Sequence, residues 1–202
     1  MRTPSPTVLS VLAATATPAL SGVLLDYGAD PAALNDAGVI RAADNPNEQF
    51  GFDQYQLINV DAPAWRIDRL TVTVRLWNAI ATGEASLAVY AADGLEPDLL
   101  DRVSSEITFT VESLEGEAVA LDLGGLELER GIYYVGLHAA SPTTELLWLA
   151  GEVDAFRTAG RSDGAFFPAS PRSLSLVVDG AVVPAPAGAA LLFAGLACRR
   201  RR

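Results

Sequence analysis

The chain has 202 residues, 50% of them hydrophobic, and a formal net charge of −11. That length and apolar content suit one domain with a packed core rather than a disordered chain. Lysine is absent, histidine occurs once (His138) and cysteine once (Cys198), which excludes lysine Schiff-base chemistry, a P-loop lysine, a zinc site built on several histidines and any intramolecular disulfide.

The chain opens with MRTPSPTVLSVLAATATPALSG. Arg2 supplies a positive start, Val8 to Ala16 a short apolar region, and Ala14-x-Ala16 or Thr17-x-Ala19 a small-residue cleavage site. This is the layout of a secretory signal peptide, expected over residues 1–19. The segment PAALNDAGVIRAADNP then reads as an early loop with one helical turn.

From Gln49 onward the hydrophobic period is two, and residues 20–180 are expected to form one all-β domain. In RLTVTVRLW, Leu70, Val72, Val74 and Leu76 face one way, while Arg69, Thr71, Thr73 and Arg75 face the other. That alternation marks a half-buried strand. SLAVYAA repeats it with Leu87 and Val89, EITFTVE with Ile107, Phe109 and Val111, and AVALDL with Val119, Leu121 and Leu123. GIYYVGLHA, ELLWLAG and SLSLVVDG complete the set. Turn signals separate them at Ala92-Asp93-Gly94, Glu115-Gly116, Gly124-Gly125, Ser141-Pro142 and Ser162-Asp163-Gly164. Short strands at this spacing predict an antiparallel β-sandwich, jelly-roll-like in organisation. VYAADGLEPDLL resembles the long hairpin loop of secreted jelly-roll domains. Leu128, Gly131 and Tyr133 have the spacing of a tyrosine corner, in which the phenol ties a crossover to nearby backbone.

Little here points to catalysis. A triad would need His138 beside a serine and a carboxylate, and no Gly-x-Ser-x-Gly elbow is present; a structural histidine is the expected role. A glycosidase would need two carboxylates facing each other across a cleft, and no pair stands out. No catalytic residue and no metal site is therefore assigned, and a secreted hydrolase is the weakest of the readings. Two acidic loops, Asp26, Asp30, Asp36 and Asp44, then Asp93, Glu96, Asp98 and Asp101, leave Ca²⁺ as a candidate ligand, although neither has the spacing of a known calcium loop. Trp65, Trp77 and Trp148 are candidate carbohydrate contacts if exposed on one sheet face.

The charge is unevenly placed. All 25 carboxylates fall between Asp26 and Asp179, whereas Arg2 and Arg199 to Arg202 lie outside that span. So acidic a body repels phosphate backbones, and no nucleic-acid partner is expected. The end reads VVPAPAGAALLFAGLACRRRR. From Ala187 to Cys198 a helix would span about 18 Å, short of a hydrocarbon core of about 30 Å. The four arginines would hold such a segment on the cytoplasmic side.

The segment 181–202 resembles the PEP-CTERM protein-sorting signal, in its Val-Pro-x-Pro-Ala variant. The matching residues are Val183, Pro184, Pro186 and Ala187, the apolar stretch with Leu191, Leu192, Phe193, Gly195 and Leu196, and Arg199, Arg200, Arg201 and Arg202. Ala185 stands where the better-known form has glutamate. The resemblance implies a protein of a Gram-negative bacterium, exported, passing transiently through the inner membrane, and cut by an exosortase, a membrane cysteine protease-transpeptidase. Its destination would be the cell surface or the extracellular matrix, often in bacteria that make exopolysaccharide or biofilm. The expectation from sequence is thus a non-catalytic envelope or matrix protein, with an exopolysaccharide-binding module as the alternative.

Overall fold

The structure, a computed structural model, describes residues 21–41, 52–77, 83–154, 158–162, 165–168 and 172–184. The expected signal peptide, the apolar C-terminal helix and Asp44 lie outside these residues. Within them the fold is antiparallel β-sheet, with one 3-10 turn at Pro31–Ala33 capped by Asp30, whose Oδ1 accepts from Ala32 N at 3.0 Å. No helix among them is long and apolar enough to cross a membrane.

Among the described residues twelve strands follow in chain order: β1 Gly22–Asp26, β2 Asn35–Arg41, β3 Phe52–Leu76, β4 Gly83–Asp93, β5 Glu96–Arg102, β6 Ile107–Val111, β7 Glu117–Ala139, β8 Glu145–Asp154, β9 Thr158–Ser162, β10 Ala165–Pro168, β11 Arg172–Leu174 and β12 Leu176–Val183. Two of them are not short. β3 has 25 residues and β7 has 23, and they pair with each other along most of their length. A straight strand of that size would reach about 80 Å, so both must bend to enclose a core.

The bends are two register shifts in the β3–β7 ladder, between Val60 and Ala64 and between Ile67 and Arg69. Each shift flips which parity of β3 faces inward, because the side-chain period of a strand is two. Ile58 and Val60 are buried, then Trp65 and Ile67, then Leu70, Val72, Val74 and Leu76. Pro63 falls inside the first shift, where it interrupts no ladder hydrogen bond. Arg130 closes that bulge by donating from Nε and Nη2 to Asp61 O at 3.1 and 2.8 Å. The second is built on Gly124 and Gly125, at φ +63° and +78°, with Asp122 Oδ1 accepting from Gly124 N at 2.7 Å. Gly124-Gly125, expected as a turn between two strands, is therefore a bulge inside one strand.

β3 also pairs with β9 near its start, with β12 over its second half and with β8 at its end. Its two halves thereby belong to opposite sides of a sandwich-like fold. One core gathers residues from both sides, including Ile40, Ile58, Leu70, Leu87, Leu137, Leu146, Trp148 and Val178. The inward set predicted in RLTVTVRLW is fully buried. Thr73, expected outward, is buried as well: its hydroxyl donates to Ala29 O at 3.0 Å and its amide to Ser175 Oγ at 2.9 Å. Ser175 is also the point where the chain passes from β11, paired with β8, to β12, paired with β3.

Two further expectations change. The segment read as an early loop keeps its helical turn, but Asn35–Arg41 is a strand, paired with β8. At the other end, β12 carries the sheet past the expected boundary at residue 180: Ala181, Val182 and Val183 pair with Arg66, Trp65 and Ala64. The Tyr133 hydroxyl donates to Glu129 O at 3.1 Å, but both residues lie within β7, so the bond ties one stretch of a strand to another rather than a crossover loop as a tyrosine corner would.

Candidate functional site

The sheet face that points away from the central core across β9, β3, β7 and β4 holds a second, smaller cluster. Cross-strand partners share a face, and the register places Arg161 opposite Asp53 and His138 opposite Ser86. Tyr55 lies opposite Ala159 and Gly136, and Tyr90 opposite Tyr134. Small residues make room for the rings. A Cβ on Gly136 would stand 2.7 Å from the Tyr55 ring and 2.9 Å from that of Tyr90. Tyr55 packs edge-on against Tyr90, His138 and Phe166 at centroid distances of 6.0, 5.4 and 5.6 Å.

Within this cluster His138 bridges two groups. Its Nδ1 lies 3.2 Å from Asp53 Oδ1 and its Nε2 lies 3.0 Å from the Tyr90 hydroxyl. With the proton on Nδ1, the ring gives a hydrogen toward the carboxylate and accepts one from the phenol, which satisfies both nitrogens. Arg161 Nη1 holds the other carboxylate oxygen at 3.4 Å. The order is thus guanidinium, carboxylate, imidazole, hydroxyl, across four strands.

Acid, histidine and hydroxyl stand in the order of a nucleophilic triad, in which an adjacent base rather than a lowered pKa can activate the hydroxyl. Burial, helped by the negative charge of Glu106, raises the pKa of Tyr90. Burial, and then the charge of Asp53, raises that of Tyr55 further. Ser86, the other hydroxyl beside His138, is 2% exposed. It hydrogen-bonds to Glu106, whose carboxyl it holds below the usual range, with Arg102 adding to the effect. The Tyr55 hydroxyl makes no well-formed hydrogen bond among the described residues, although the Arg161 guanidinium lies against it. The cluster thus links four strands through polar and aromatic contacts.

The tryptophans expected to touch sugar do not share a face. Trp148 is fully buried and donates its indole N–H to Ser175 O at 2.8 Å; Trp65 is 5% exposed. A buried indole has no face to offer a sugar ring, so both leave the candidate set; both belong to the central core, Trp148 on a strand buried on both faces. Trp77, at the end of β3, is 42% exposed. Among the described residues no group of three or more aspartate, glutamate, histidine or cysteine side chains is placed to hold a metal ion. Asp26 and Asp98 instead accept backbone hydrogen bonds two residues on, from Gly28 N and Leu100 N. Val183 and Pro184 of the sorting motif stand at the end of β12, Pro184 exposed. Pro186, Ala187, Leu191, Leu192, Phe193, Gly195, Leu196 and Arg199 to Arg202 lie outside the described residues.

An open cleft of about 580 Å³ lies elsewhere, lined by Val103, Ser104, Ser105, Ile107, Asp122, Leu123, Gly124 and Leu126. None of the tyrosine and histidine cluster borders it. No protein-family model matches the chain, and no curated protein sequence matches it either.

Proposed function

We propose that the chain is an exported, non-catalytic protein of the bacterial envelope or extracellular matrix, delivered through a sorting tail that an exosortase-type protease cuts. The observation that carries this reading is the sequence Val183-Pro184-x-Pro186-Ala187, followed by an apolar stretch and four arginines. Its position supports the reading. The motif begins as β12 ends, with Val183 paired to Ala64 and Pro184 exposed. The jelly-roll variety of sandwich belongs to the same reading. The test is to replace Pro184 and Pro186 by alanine in the native host and follow the protein by fractionation. Uncut precursor held in the inner membrane is expected; unchanged processing and release would overturn the assignment.

A second reading, exopolysaccharide binding, keeps one specific observation, the exposed indole of Trp77. Retention of the purified protein on immobilised host polysaccharide, abolished by Trp77→Ala, would establish it. Retention that survives the substitution would remove Trp77 from the reading, and no retention would end it.

A further inference from the structure

The hydroxyl groups of Tyr90, Tyr133 and Tyr134 are held in two different ways. Tyr133 donates to Glu129 O at 3.1 Å and Tyr134 to Leu95 O at 2.6 Å. A backbone carbonyl accepts a hydrogen bond but is too weak a base to keep the proton. Tyr90 instead meets Nε2 of His138 at 3.0 Å. With the ring proton of His138 directed from Nδ1 to Asp53 at 3.2 Å, Nε2 is the basic nitrogen. A base within hydrogen-bond reach of a phenol can take its proton outright.

The surroundings decide which reaction suits that pairing. Tyr90 is 7% exposed, and the Tyr55 ring lies edge-on to it at 6.0 Å. A hydroxyl so enclosed gives a bulky substrate little approach, whereas an electron crosses a short stretch of protein without one. Burial, and next the charge of Glu106, disfavours the phenolate, because a charged ring is poorly solvated there. Removing an electron and the proton together leaves the ring neutral, so the same burial does not oppose a phenoxyl radical. The positive charge then appears on His138, near the carboxylates of Asp53 and Glu106. Arg161 and Arg102, which face the same two carboxylates, offset them in part.

We propose that Tyr90 is a one-electron redox centre, a sink for small radical oxidants of the peroxyl class, with His138 as its proton acceptor. The oxidant takes one electron from the phenol, and a peroxyl radical becomes a hydroperoxide anion that draws a proton from water. The phenol O–H bond breaks, and its proton passes along the hydrogen bond to Nε2. A neutral phenoxyl radical and an imidazolium held by Asp53 result. A small enediol reductant returns the electron, and the proton goes back from Nε2 to the oxygen. Enclosure of the ring keeps the radical from coupling to a second phenoxyl. The centre stores one electron per chain, and the inference does not rest on the sorting reading.

The test is flash oxidation of the full-length chain by photogenerated tris(bipyridine)ruthenium(III), a one-electron oxidant. Trp77→Ala serves as the background, since it removes the exposed indole as a competing donor. Phenoxyl absorption and electron paramagnetic resonance are the readouts. A tyrosyl radical is expected, lost in Tyr90→Phe and kept in Tyr133→Phe and Tyr134→Phe. His138→Gln, checked for an unchanged far-UV spectrum, should slow radical formation by about 10-fold or more, because the proton has no base to receive it. Deuterium oxide should slow the reaction in the background chain, a readout that needs no variant at His138. A peroxyl source with an enediol present should then be consumed faster by the background chain than by its Tyr90→Phe variant. A radical that survives Tyr90→Phe, a rate indifferent to His138→Gln or to deuterium oxide, or no phenoxyl radical would each overturn the proposal. Equal consumption of peroxyl by the two chains would overturn the assigned oxidant class.

Discussion

Leu70, Val72 and Trp148 in the central core and Asp53, His138 and Tyr90 on the opposite face of the sheet are buried by different means. The first group is aliphatic and aromatic carbon, and its stability comes from apolar area removed from water. The second is a set of polar groups and rings whose burial is tolerable because nearly every one finds a partner on a neighbouring strand. The same strands, β3, β7 and β4, carry both. The comparison teaches that a strand buried on both faces can use one face for bulk cohesion and the other for polar links between strands.

The substitutions that probe this difference descend in size. Trp148→Ala empties the core and strips Ser175 O of its indole donor; a loss of about 3–5 kcal/mol is expected by urea denaturation. Gly136→Ala acts on the outer cluster by overpacking, since the new Cβ would stand 2.7 Å from the Tyr55 ring. A loss of about 1–3 kcal/mol is expected, and most of it should be recovered in the double variant with Tyr55→Leu. Tyr90→Phe removes only the hydroxyl that His138 Nε2 accepts from, and should cost about 1 kcal/mol. If it cost as much as Trp148→Ala, the outer cluster would be more than a set of links between strands. Trp77→Ala, at an exposed strand end, should leave stability within about 0.5 kcal/mol.

Alkali sharpens the comparison further. Burial raises the pKa of Tyr55, Tyr90, Tyr133 and Tyr134 above the ordinary value of 10.0. A group whose folded pKa is raised keeps its full contribution below the unfolded value. Above pH 10 the unfolded chain ionises these phenols while the fold resists, so stability falls as pH rises. Denaturation midpoints measured between pH 9 and pH 11 should therefore drop, and Tyr55→Phe should make the drop shallower. At pH 7 Tyr55→Phe should be near neutral, because the hydroxyl it removes makes no well-formed hydrogen bond among the described residues. An unchanged alkaline slope would mean that the Tyr55 phenol is not held protonated by its surroundings.

How much of this was legible in the sequence follows from the same distinction. Leu70, Val72, Val74 and Leu76 could be placed inside from alternation alone. Trp65 and Ile67 could not, because the two register shifts in β3 reverse the parity of the pattern, and each is set by a partner far along the chain in β7. Gly124-Gly125 carries the signature of a turn, and nothing local separates a turn from a bulge. In SLAVYAA, Ala88 and Tyr90 are buried as well as Leu87 and Val89, so alternation there understates the burial. His138 stood out as the only histidine, but Asp53, Tyr90 and Arg161 reach it from three other strands. Only the register between strands joins them, and no spacing in the sequence announces it.

The most direct test of the central reading is the intact mass of the protein recovered from the native envelope and culture medium. Export and sorting predict a chain that has lost the segment around residues 1–19 and the residues beyond the Val183-Pro184 motif, with the sandwich between them whole. A cytoplasmic chain running from Met1 to Arg202 would contradict the account.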